Sequence, residues 1–277
     1  GYTNLPAEKT MNRIIKRNGL ITVEESEKHT PWKRFEHEHP NDLWQTDFKG
    51  HFGIQVGRCH PLTLLDDHSR FSLLLKACDN ERGDTVKQAL TEVFLEYGLP
   101  LRMTMDNGAP WGTSRNIRHT TLTAWLIRLG IFVTYSRPRH PQTQGKLERF
   151  HRTLKTELLS RFMFKDLKAT QKGFDWWRKI YNEERPHAAI EHAVPLDRYQ
   201  CSMRLFPRKL PSIEYGDDMI VRKIQRDGEV RYKGNLYRIG TAFRGHPVGL
   251  KETLDEDIYE VYFCNQLVAK IDLKYPS

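Results

Sequence analysis

The sequence predicts an α/β protein: a mixed five-stranded sheet with flanking helices, followed by a small all-β barrel domain. Three observations predict it. Strand-like runs and helical periodicity alternate between about residues 43 and 182. Prolines and basic residues then cluster over 195–211. Beyond them come only short strand-like runs separated by turn residues. At 277 residues, the chain is long enough for one large domain or two ordinary ones. A hydrophobic fraction of 38%, with aromatic residues spread throughout, excludes a disordered chain.

Taken in order, Glu8 to Arg17 has helical character and Gly19 suits its C-cap. This basic stretch with Ile14-Ile15 at its centre fits two readings, the last helix of a helix-turn-helix or an amphipathic surface helix. The polar residues up to 40 read as a linker. Leu43 to Ile54, Pro61 to Leu65 and Arg70 to Ala77 are β-like runs. A helix over Gly83 to Tyr97 aligns Val86, Leu90, Val93, Phe94 and Tyr97 on one face, and Gly98 ends it. Leu101 to Met105 is a short strand, Thr121 to Leu129 a helix, and Ile131 to Tyr135 a fifth strand. Two longer helices follow near 144–162 and 167–182. This order of elements is that of a ribonuclease H-like domain, spanning 41–200. Residues 201–211 read as a linker and 212–277 as the barrel.

Lys and Arg outnumber Asp and Glu by 44 to 35, a net charge of +9. That balance favours a polyanionic partner, DNA before an anionic membrane. No apolar run approaches the roughly 20 residues that span a bilayer, so no membrane partner is expected. The four cysteines, Cys59, Cys78, Cys201 and Cys264, form no CxxC and read as isolated thiols of a reducing, cytoplasmic compartment. Cys59-His60 with His37 and His39 fits no zinc spacing.

Three acids stand out. Asp47 lies inside a strand, where a buried charge needs a metal, an arginine or an exposed face. Asp106 ends an apolar strand, where ligands gather in open α/β sheets, though Asp106-Asn107-Gly108 also suits a plain turn. Glu148 shares a helix face with Arg152 and Lys155, beside an apolar stripe of Leu147, Phe150, Leu154 and Leu158. Each acid alone has an ordinary explanation. Together, on this order of elements, they can converge at one sheet edge, where mutual repulsion calls for cations and hard oxygen ligands suit Mg²⁺.

The motifs around them resemble a known family. Trp44-Gln45-Thr46-Asp47, Asp66-Asp67-His68-Ser69-Arg70, Asp106-Asn107-Gly108 and Arg137-Pro138-Arg139-His140-Pro141-Gln142-Thr143-Gln144-Gly145-Lys146-Leu147-Glu148-Arg149 stand in series. They are similar to the catalytic core of the DDE transposase and retroviral-integrase superfamily, in its bacterial insertion-sequence branch of IS3 and IS481 type. Tyr181-Asn182, Arg185-Pro186-His187 and Pro195 resemble that family's tail motif. The likeness covers about residues 40–200, with a longer gap between Asp106 and Glu148 than is usual.

The resemblance implies a transposase that cleaves transposon ends and joins the 3′-hydroxyl to target DNA by two-metal-ion phosphoryl transfer. Asp47 would bridge two Mg²⁺ ions, with Mn²⁺ able to substitute, and Asp106 and Glu148 would each hold one. Arg137, Arg139, His140, Lys146, Arg149, Arg152 and Lys155 are the candidate DNA contacts. The barrel, with Arg222, Lys223, Arg226, Arg231, Lys233, Arg238 and Arg244, suits DNA holding or protein assembly. A homodimer or higher multimer on nucleoid DNA is expected, because two element ends must meet. The alternatives are a ribonuclease H-like nuclease without strand transfer and a DNA-binding regulator without chemistry.

Overall fold

The computed structural model describes residues 8–19, 36–112, 119–136, 145–255 and 257–275. Two compact units divide at Glu36. The first contains α1 (Glu8–Arg17), which ends where expected. Asn18 donates its side-chain amide to the Ile14 carbonyl at 2.8 Å, and Gly19 follows with φ 67°. Lys16 and Arg17 sit in its last turn, where the helix dipole favours cations.

The second unit is built on β1 (Leu43–Phe48), β2 (Phe52–Gly53), β3 (Arg58–Asp66), β4 (Ser72–Cys78), β5 (Arg102–Met105) and β6 (Phe132–Tyr135). They form one mixed sheet in the order β2-β3-β1-β5-β6, with β4 also on β3. The pairs β1–β3 and β3–β4 are antiparallel, and β1–β5 and β5–β6 are parallel. This is the expected ribonuclease H-like sheet, with six strands in place of five. The extra strand arises because the run Leu43 to Ile54 does not continue unbroken. Gly50 takes φ 86°, and the chain turns back as the short β2.

Helices cover both faces. On one, α2 (Gly83–Tyr97) and α3 (Thr121–Arg128) pack Val86, Leu90, Phe94, Leu122 and Leu126 against Trp44, Leu62, Leu64, Met103 and Met105. On the other, α4 (Gly145–Leu154), a π-helical turn over Lys155–Leu159 and α5 (Leu167–Glu183) pack Leu147, Phe150, Leu154, Leu158, Phe174 and Trp177 against Leu65 and Leu75. The predicted stripe of α4 is thus its buried face. The tail motif has a packing explanation. Tyr181 is buried against Phe150, the His187 ring meets it edge-on at 4.6 Å, and Arg185 pairs with Glu157.

Strands β4 and β6 are tied off by side chains. Along β4, the Asn182 amide accepts from Ser72 N and donates to Ser72 O, Arg178 donates to Leu73 O, and Gln171 donates to Leu75 O while accepting from Ala77 N. On β6, the Gln266 amide donates to Val133 O at 2.8 Å and accepts from Val133 N at 2.9 Å.

The remaining elements are the short α6 (Pro195–Arg198), β7 (Ile220–Lys223), β8 (Glu229–Tyr232), β9 (Asn235–Arg238), β10 (Pro247–Glu252), β11 (Ile258–Phe263) and β12 (Gln266–Asp272). The expected barrel is not found. Among the described residues, β12-β11-β10-β7 make an open four-stranded antiparallel sheet and β8-β9 a separate hairpin. The sheet spends its apolar face on the rest of the unit, with Phe243 against His119 and Gln266 against β6, and does not close on itself. Residues 201–211, read as a linker, lie pinned to the core. Ser202 N donates to Tyr97 O, Arg204 donates to the carbonyls of Pro100, Leu129 and Gly130, and Phe206 stacks on Phe94. No helix among the described residues is long and apolar enough to cross a membrane.

Candidate active site

Side chains alternate along a strand, so Trp44 and Thr46 face α2 while Gln45 and Asp47 face the α4 side. The same alternation on β5 turns Met103 and Met105 toward α2, and Thr104 and then Asp106 toward α4. The β1–β5 register pairs Gln45 with Thr104. Carried two residues on, it sets Asp47 opposite Asp106. Asp106 is exposed just past the strand, where Ser136 Oγ donates to its Oδ1 at 3.3 Å and Asn107 Nδ2 donates to the Ser136 carbonyl at 2.7 Å.

Glu148 projects exposed from the first turn of α4, which packs against β1. One turn further on, His151 fixes the helix to the sheet. Its Nε2 lies 2.8 Å from Thr63 Oγ1, and Thr63 Oγ1 donates to the Asp47 carbonyl at 2.8 Å. Thr63 is also the cross-strand partner of Asp47 in β3. Because the Thr63 hydroxyl proton is used on Asp47, His151 Nε2 must carry a proton and donate. Burial, aided by the Lys49 charge, holds His151 at about 3, so it is neutral. A three-residue relay therefore ties the Glu148 helix to the Asp47 strand.

Electrostatics reports the same convergence. Burial and then the Asp106 charge, with smaller contributions from Glu81 and Glu148, push Asp47 up to about 7, while the backbone N–H of Phe48 opposes them. An acid this buried and crowded by like charges holds its proton unusually tightly. Among the described residues, no three His, Cys, Asp or Glu side chains are assembled as a metal cage. The three candidate acids are hard-oxygen donors, the chemistry that suits a hard divalent ion. Cys59 is buried, with its thiol pushed up to about 12, and His60 Nδ1 lies 2.8 Å from a Glu81 carboxylate oxygen.

This shift carries a testable consequence. A carboxyl whose pKa is higher folded than unfolded binds its proton more tightly in the folded chain. Its contribution to stability therefore falls as pH rises from about 4 to about 7. In metal-free buffer, Asp47→Asn should melt several degrees above the parent at pH 7.5 and level with it at pH 4. His151 and His187, both held neutral by burial, titrate in both proteins and cancel in the difference. A melting difference independent of pH would contradict the shift.

Several cations neighbour the acids in sequence. Lys49 lies close enough to Lys155 for burial and that neighbour to lower its pKa. Arg149, Arg152 and Lys155 are exposed on α4 and its π-helical extension. Arg137, Arg139 and His140 lie outside the described residues. Lys146 is placed differently from a free phosphate contact. Its Nζ pairs with Asp67 at 2.5 Å, the side chains being only 18% and 2% exposed. Asp67 also accepts from Gln45 Nε2 and His37 N, and Asp66 accepts from Asn41 N, Ser69 N and Ser69 Oγ. The Asp66-Asp67 pair thus anchors the β3–β4 hairpin. Lys146→Ala should cost about 3 kcal/mol by leaving a buried charge short of its counter-ion, measured by urea unfolding. Loss below about 0.5 kcal/mol would mean that the pair is solvated.

Sequence reasoning missed Thr63, His151 and Lys49. Of these, His151 carried a signal, being three residues from Glu148 and on its helix face.

Comparison with known proteins agrees with this geometry. Residues 37–141 and 129–195 each match the integrase core domain family, and residues 219–277 match the C-terminal domain of IS481 family transposases. The chain carries an integrase core domain over residues 37–195 and, after it, the C-terminal domain found in IS481 family transposases. An uncharacterised protein of insertion element IS476 from Xanthomonas euvesicatoria is 29% identical over 156 residues, covering 56% of this chain and 43% of the relative. Another, of IS407 from Burkholderia multivorans, is 27% identical, covering 56% and 54%. The chain thus spans about half the length of the curated relatives it matches. A chain from a simian T-cell lymphotropic virus intasome, solved with a PP2A regulatory subunit, superposes with a TM-score of 0.50 at 14% identity, covering 94% of each chain. At that identity the likeness is one of fold. It places the integrase core of this chain on the ribonuclease H-like scaffold.

Proposed function

We propose that this chain is a DNA transposase that cleaves element ends and joins the freed 3′-hydroxyl to target DNA. The observation that carries the reading is Asp47. Burial and then the Asp106 charge, with smaller contributions from Glu81 and Glu148, push its carboxyl up to about 7. Asp47, Asp106 and Glu148 would hold Mg²⁺, and Mn²⁺ has the same oxygen-ligand chemistry. Bound there, the metal would supply positive charge for in-line phosphoryl displacement.

The chain's own groups do the rest. Lys49, Lys155, Arg149 and Arg152 offer phosphates a cationic border, with Arg137, Arg139 and His140 as further candidates from the adjoining segment. The His151–Thr63 relay holds the spacing of Glu148 from Asp47. No serine, tyrosine or cysteine nucleophile is needed, since the first product supplies the second attacker. Two ends must meet, so at least a dimer is expected on DNA.

The test is an assay with a labelled terminal duplex, target plasmid and Mg²⁺. Joined products support the reading. Nicking without joining would leave a nuclease, and neither activity in a DNA-bound protein would leave a regulator.

A further inference from the structure

A cleft of about 530 Å³ opens between α2, α3, Leu210 of the 201–211 strap and the 241–246 segment that joins β9 to β10. It lies on the α2/α3 face, with a helix layer about 10 Å thick and the sheet between it and the catalytic acids. Its lining includes Lys87, Arg128, Arg244 and His246 and no carboxylate. None of these four side chains forms an ion pair among the described residues.

Arg128 is oriented from behind. Its Nη2 donates to the Pro211 carbonyl at 2.8 Å, and its Nε is buried with no hydrogen-bond partner among the described residues. The Arg128 charge also helps burial to hold His246 below its ordinary value, so this imidazole meets a positive field. Trp125 forms one wall, with Lys87 Nζ 5.4 Å from its ring centre. The Thr121 hydroxyl adds a neutral donor at the rim.

We infer that this cleft is a second nucleic-acid site, which takes the phosphodiester backbone of a DNA segment distinct from the one presented to the acids. Acid-free cations at several points around a concave wall match a chain of singly charged phosphates. An indole wall matches the apolar sugar faces between them. The inference rests on the transposase reading, because it assumes a DNA substrate. It adds affinity without chemistry, at a place formed jointly by the core and the segment that joins β9 to β10.

The experiment uses the full chain and a short fluorescent duplex of arbitrary sequence, with the dissociation constant measured across KCl concentrations. Lys87 and Arg244 are both exposed, so Lys87→Ala/Arg244→Ala leaves the packing intact. The salt slope of log affinity should become shallower by about 1–2, near 0.9 for each phosphate that is no longer neutralised. A charge-matched control, Lys168→Ala/Lys172→Ala on the exposed side of α5, should keep the parental slope.

An unchanged slope in the cleft variant, or an equal change in the control, overturns the site. Polyglutamate is the second probe. If its binding is lost in the cleft variant while the DNA slope stands, the cleft serves an acidic protein and the inference fails. A parent chain that binds no DNA at any salt would instead remove the transposase reading and this one with it.

Discussion

Glu148→Gln is expected to abolish end cleavage and strand transfer, with a fall of roughly three orders of magnitude or more in rate. Duplex affinity should stay within about twofold, since affinity comes from phosphate contacts rather than from the acids. The amide keeps the shape of the side chain and cannot supply a hard anionic oxygen. Glu148 is exposed, so the substitution disturbs no packing and its effect is read without a folding correction. Asp106→Asn, likewise exposed, should behave in the same way. Asp47→Asn should be equally inactive while being the more stable protein at neutral pH, because it removes the crowded charge. Stability and activity thus move in opposite directions at one residue. Strand transfer retained in any of the three would end the metal assignment.

The second large effect belongs to the relay. His151→Ala should lower strand transfer by about 10–100-fold, the range for groups that orient metal-site ligands. The deficit should appear as a higher Mg²⁺ requirement, with little change in the half-saturating DNA concentration. Thr63→Val breaks the same connection at its middle and should cost about as much. The double variant should be no worse than either alone, because both remove a single link. His151→Gln places a donor N–H where the imidazole Nε2 stood and should recover most of the activity. A merely structural histidine would instead change folding stability and leave the metal dependence alone. Fully additive effects, or no rescue by Gln, would refute the relay.

What is legible in the sequence follows from local periodicity. The stripe Leu147, Phe150, Leu154, Leu158 repeats on one helix, so α4 and the face carrying Glu148 can be read directly. Asp47 and Asp106 can be read as strand acids because short-range alternation reveals strands. The relay cannot, since Thr63 and His151 are 88 positions apart and nothing in either neighbourhood names the other. Lys146 misleads for the same reason. Its sequence neighbours are cations and an acid next to the site, while its partner Asp67 comes from a distant hairpin. The barrel fails on closure. Six short runs reveal strands, but whether a sheet curls shut depends on what else its apolar face can cover, and here it covers the core.

The side chains that tie off β4 and β6 bear on how this protein can gather into assemblies. A mixed sheet with bare outer strands is a template for further chains, and a protein concentrated many times over along one nucleic acid would face that hazard constantly. Here the Gln171, Arg178, Asn182 and Gln266 side chains already hold the groups that an incoming strand would need. Growth of the mixed sheet by strand addition is therefore blocked along β4 and β6. That leaves the helices, loops and charged surfaces of the core as its ground for meeting other subunits.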